Sequence, residues 1–152
     1  MALDQQDIMD AIYTRLSGDH EFNTALGGTD SAAGRIYDTE APANRRGAEP
    51  ISTSVLPLCL FTLISGIPIP TFDDSDLWRM ILQVDLFGIR GVTNGVKAVR
   101  DIADHLLARL DRVSLSVTGF NKVAAFNQDQ GAPVIEEDVI RQTSQWLILA
   151  SG

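Results

Sequence analysis

The chain has one cysteine, two histidines and no apolar run long enough to cross a bilayer. A single thiol excludes an internal disulfide. Cys59 sits among leucines, which predicts a small buried hydrophobe, and no basic neighbour is present to activate it. Two histidines and one cysteine leave a zinc cluster and most nucleophile–base pairs short of parts. There is no glycine-rich phosphate loop with lysine, no G-x-G-x-x-G after a strand and no G-x-S-x-G elbow. Neither a catalytic residue nor a cofactor is predicted. Positive charge is scarce: 12 Lys and Arg against 20 Asp and Glu give a net charge of −8. A binder that displaces counterions from nucleic acid needs the opposite balance. The first residues, Met1 to Asp7, are polar and acidic, whereas an export signal needs a basic start and an apolar stretch. Synthesis in a cytoplasm without membrane insertion is therefore expected.

What is present is a long apolar hairpin. Residues 1–152 have the length of one domain with a substantial core, and 45% of them are hydrophobic. The first arm, Leu56 to Ser65, is apolar on both faces of a strand: Leu58, Leu60, Thr62 and Ile64 on one, Cys59, Phe61 and Leu63 on the other. The second arm, Leu77 to Gly88, puts Trp78, Met80, Leu82, Val84 and Leu86 on one face. Arg79, Ile81, Gln83, Asp85 and Phe87 fall on the other. An arm this long spans about 40 Å, roughly twice an ordinary strand. Such strands predict a core face under helices and a second face that more chain or another subunit must cover.

Around the hairpin, Asp4 to Ser17 has the spacing of an amphipathic helix, with Ile8, Ile12 and Leu16 on one stripe. A short helical turn is predicted from Asp19 to Leu26 and a short strand at Arg35–Tyr37. Val96 to Arg112 is the clearest helix, with Val99, Ile102, Leu106 and Leu110 inward. Strands are predicted at Ser114–Thr118, Lys122–Asn127 and Gln142–Ser151, with Gln128–Gly131 as a turn. The fold class is α+β: a mostly antiparallel sheet with a long hairpin, packed by an N-terminal helix and one central amphipathic helix. His105 has no second ligand at helical spacing, and Asp73, Asp74 and Asp76 lack the glycine and distal glutamate of a calcium loop. No metal site is predicted.

Two irregular stretches supply candidate contacts. Asp38 to Ser54 carries Arg45 and Arg46, which suit an acidic partner or phosphate, or else mark a solvated loop tip. The connection from Gly66 to Asp76 contains Pro68 and Pro70, which a central strand excludes. It presents Ile67, Ile69 and Phe72 beside Asp73 and Asp74 as contact points for a subunit or tube.

The order of elements points to a family. An amphipathic start, Asp7-Ile8-Met9-Asp10-Ala11-Ile12-Tyr13-Thr14-Arg15-Leu16, leads to Gly34-Arg35-Ile36-Tyr37. A proline-bearing loop leads into the long strand pair, which closes with Val84-Asp85-Leu86-Phe87 before the helix. This resembles the tail-terminator (tail-completion) proteins of long-tailed bacteriophages and gene transfer agents, over most of the chain. The resemblance implies a non-enzymatic virion protein in the neck region of the tail, assembled in the host cytoplasm. It further implies a homo-hexameric ring on the last ring of tail tube protein, which stops tube growth and presents a surface to a head–tail connector or stopper protein. DNA passes through the lumen without specific binding, and an acidic wall suits that passage. The alternatives are another neck component (connector or stopper), or a small enzyme or ligand-binding domain using Asp38, Asp85 or Glu136 in a cleft.

Overall fold

Two thirteen-residue strands, paired along their whole length, form the centre of the molecule. The computed structural model describes residues 5–26, 36–38, 57–69, 77–90, 95–136 and 139–152. In chain order these form α1 (Gln5–Ser17), α2 (His20–Ala25), β1 (Ile36–Asp38), β2 (Leu58–Ile69), β3 (Leu77–Ile89), α3 (Gly95–Leu110), β4 (Ser114–Leu115), β5 (Lys122–Gln130), β6 (Val134–Glu136) and β7 (Val139–Ser151). One sheet contains every strand, in the order β1-β2-β3-β7-β5-β4, with β6 paired to β7. All its pairings are antiparallel except β1 with β2. The α+β class and the layout of hairpin and helices are as the sequence predicts.

The central pair, β3 and β7, runs in unbroken register from Leu77↔Ser151 to Ile89↔Val139. Alternation then sorts the side chains. Met80, Leu82, Val84 and Leu86 of β3 meet Trp146, Ile148 and Ala150 of β7 in one buried cluster. The same cluster takes Cys59 and Phe61 from β2 and Val123 and Ala125 from β5. The helices close over it with Ile8, Ile12 and Leu16 from α1, Phe22 from α2, and Val99, Ile102, Leu106 and Leu110 from α3. Fully burying one such aliphatic or aromatic side chain contributes about 1.5–3 kcal/mol. Trp146 also satisfies its indole N–H, which donates to Ser144 Oγ at 2.9 Å.

Polar groups dock α2. Asp19 caps it by accepting from Phe22 N at 2.7 Å, and buried Asn23 donates to the carbonyls of Ser17 and Asp19. Arg109 reaches from α3 to Asp19 at 2.6 Å and Glu21 at 3.2 Å.

Several boundaries differ from expectation: β1 is Ile36–Asp38, β4 stops at Leu115 and not Thr118, β7 begins at Val139 and not Gln142, and β6 has no predicted counterpart. The strand β2 continues through Gly66 to Ile69, so Ile67 and Ile69 lie in the strand, opposite Arg79 and Leu77, and not in the connection. Pro68, opposite Trp78, is tolerated because β1 covers only Cys59 to Phe61. Beyond that point no described strand lies outside β2, and an edge is where a sheet admits proline. The strand β5 runs on to Gln130, past a bulge between Asn127 and Asp129 that absorbs Gln128. Conversely, α3 stops at Leu110, before the predicted Arg112. Arg112 adopts a left-handed φ of 59°, and its N–H donates to Ala125 O at 2.7 Å. That cross-sheet bond ends the helix without the usual glycine.

At Gly88 the sheet and α3 are in close contact: a Cβ there would lie 2.3 Å from Val99 Cγ2. Gly88→Ala is therefore expected to destabilise the fold by about 1–3 kcal/mol in urea denaturation. Adding Val99→Ala makes room, so the double variant should lose less than the sum of the two singles.

Candidate functional site

The three described helices lie on one face of the sheet, and no described element covers the other. That second face is built from the alternate residues of β2, β3, β7 and β5. Register stacks them in rows: Leu60–Asp85–Thr143, Thr62–Gln83–Gln145, Ile81–Leu147–Phe126 and Arg79–Leu149–Ala124. The face is mixed, with an apolar pair in one row and amides in the next. At one end it has its own small core, where Leu58 and Phe87 are buried against Leu60, Ile89 and Val139. At the bulge in β2, Ile64 is 52% exposed. On β6, Val134 and Ile135 are also about half exposed, at 49% and 51%.

Asp85 lies within this face yet is only 8% exposed. Its carboxylate accepts from Thr143 Oγ1 across the strand pair and from Gln83 Nε2 at 2.9 Å. Nothing local in the sequence signals the Thr143 contact, since 58 residues separate the partners. Among the described residues no cation pairs with Asp85. Cys59, one strand away on the core face, has its thiol pushed far up, first by burial and second by the charge of Asp85. It stays protonated and is a poor nucleophile.

Of the acidic residues proposed for an enzyme, Asp85 and Glu136 do not converge. Glu136 pairs with Arg141 at 3.1 Å across the β6–β7 turn. Its register partner, Val139, is four positions along β7 from Thr143. Asp38 stands opposite Phe61 in β1. Two shallow grooves open elsewhere. One lies between α1 and the Ser114–Thr118 segment, and one between α3 and the Gln130–Pro133 connection. Neither is lined by Asp85 or Glu136. His105 comes within 4.0 Å of Glu21, and among the described residues no three metal-ligating side chains gather. No described helix is long and apolar enough to cross a membrane.

Of the contact residues predicted from sequence, Ile67 and Ile69 fall on β2, in the half of the strand beyond the reach of β1. Arg45, Arg46, Phe72, Asp73 and Asp74 lie outside the described residues.

No family model matches this chain, and no curated protein matches it in sequence. Solved structures do match its fold. A chain of the virion of a native gene transfer agent particle aligns over 95% of both chains, with a TM-score of 0.65 and 14% identity. A second solved chain, which carries no functional name, aligns over 99% of this chain and 97% of its own. Its TM-score is 0.63 and its identity 14%. At such identity the likeness is one of fold, and it extends from end to end.

The Asp85 row gives a test of the second face. Thr143→Val keeps the shape of the side chain but removes a donor to a buried carboxylate. A loss of about 1–3 kcal/mol is expected in urea denaturation, with the secondary structure seen by circular dichroism unchanged.

Proposed function

We propose that this chain is a structural virion protein that ends the tail of a bacteriophage or gene transfer agent particle. In this reading, copies form a hexameric ring at the head-proximal end of the tail tube. The ring stops tube growth and offers the surface to which a head–tail connector or stopper protein joins. The observation that carries the proposal is the fold shared with a gene transfer agent virion chain over 95% of both lengths. The uncovered sheet face and the long hairpin support it, since both are surfaces a neighbour can use. The scattered carboxylates and the protonated, buried Cys59 favour a structural role over an enzymatic one. A net charge of −8 suits a lumen that lets DNA pass.

The test is assembly. Purified protein mixed with tail tubes should cap one end of each tube as a ring in electron micrographs, and should arrest further tube growth. Because ring formation can require the tube as template, a monomer in free solution is compatible with this outcome. Protein that stays monomeric and never binds tube ends would refute the role. Label found on the head side of the ring, away from the tube, would reassign the chain to the connector or stopper position.

The hairpin connection supplies a residue-level check. Phe72→Asp should leave the thermal unfolding of the subunit unchanged and reduce tube-end binding at least tenfold. Unfolding of the variant would place Phe72 in the core and remove the connection from the contact surface.

A further inference from the structure

The sheet ends beside a helix. From Ser114 to Thr118 the chain alternates, with Leu115 and Val117 buried and Ser114, Ser116 and Thr118 exposed. Only Ser114 and Leu115 pair with β5. β4 is the last strand in the sheet order, so among the described residues no strand lies outside it. Val117 O accepts from Phe120 N at 3.2 Å, whereas among the described residues the backbone of Ser116 has no hydrogen-bond partner. The strand proper is two residues long, and next to it the backbone of Ser116 is free among the described residues.

Facing this edge is α1, and a groove of about 400 Å³ lies between them. The helix lines it with Asp7, Asp10, Ala11, Thr14 and Arg15, whose spacing forms one stripe along its length. Two carboxylates occupy one end. Arg15, at the other end, is held by its Nε bond to Arg109 O at 3.0 Å. Asp7 lies in the first helical turn and eases the helix dipole there. Asp10 is nearly a turn further on, where that effect has faded; its carboxylate accepts from Gln6 Nε2 at 2.7 Å and stays exposed on the groove.

The two sides of the sheet differ in a telling way. Beyond β1, the outer side of β2 carries a bulge at Ile64 and a proline at 68, features that block the addition of another strand. Ser114–Thr118 has no proline, lysine or bulge, and only the shortness of its two-residue ladder guards it. An edge of this kind beside a helix is the geometry in which an extended peptide adds as a further strand.

We propose that the groove between α1 and Ser114–Thr118 binds an extended segment of a partner protein. The segment pairs with the free backbone at Ser116 and places a lysine or arginine side chain against Asp7 and Asp10. The site lies on the helix side of the β4 edge, apart from the uncovered sheet face, and does not depend on ring assembly.

The full-length chain, passed over an immobilised positional-scanning octapeptide library, tests this. Retained peptides should be enriched in β-branched residues at alternate positions and in one lysine or arginine. Asp7 and Asp10 are exposed, so Asp7→Lys with Asp10→Lys should keep the fold and reverse the charge preference to Asp or Glu. Ser116→Pro should weaken retention at least tenfold. Should that variant fail to fold, N-methylation of alternate peptide backbone nitrogens must weaken retention of the best peptide by the same factor. No enrichment, a charge preference that survives the reversal, or N-methylated peptides that bind equally well would each overturn the proposal.

Discussion

The unbroken register between β3 and β7 is the constraint on which the rest depends. Thirteen consecutive pairs, from Leu77↔Ser151 to Ile89↔Val139, oblige each strand to divide its side chains between two faces. A slip of one residue would bring Arg79, Gln83 and Asp85 under the helices and turn Leu82 and Val84 outward. The hydrophobic penalty of that exchange holds the pairing in place. Once it is set, β2 and β5 can join only in registers that bring Phe61 and Ala125 to the core side. The helices then have a single apolar surface on which to pack.

That arrangement concentrates the aliphatic groups beneath α1 and α3 and leaves the opposite face mixed. A mixed face is what an antiparallel sheet shows to water or to a neighbour it meets reversibly. The helix layer, in contrast, is fastened by specific polar contacts. Arg109 ties α3 to the start of α2, and Arg15 ties α1 to the end of α3. Through these bonds the position of α1, and hence the width of the groove it lines, is linked to the seating of α2.

Much of the fold is legible in the sequence because period and burial agree. Alternation in Leu77 to Gly88 is enough to sort Met80, Leu82 and Val84 from Gln83 and Asp85. The spacing of Val99, Ile102, Leu106 and Leu110 likewise identifies α3. The features that escape are those set by contacts distant in the chain. Whether Pro68 sits in a strand depends on what lies outside β2, which local pattern does not reveal. The end of α3 is fixed by the Arg112 bond to Ala125 and not by a glycine. Of the candidate surface, the outward set on β3 is legible. The burial of Asp85 is not, because its partner Thr143 lies on another strand. Val134 and Ile135 fall in no predicted strand, and the structure places them in the edge strand β6, about half exposed.

The sealed state of Cys59 has a practical side. A lone thiol buried in the core and kept protonated should not react with maleimide or iodoacetamide while the fold persists. The native chain is thus a ready background for site-directed labelling. A cysteine introduced on the uncovered face of the sheet would carry the only accessible thiol, so a spin label or fluorophore there would report from one place. Modification of Cys59 itself, conversely, would count the molecules that have opened.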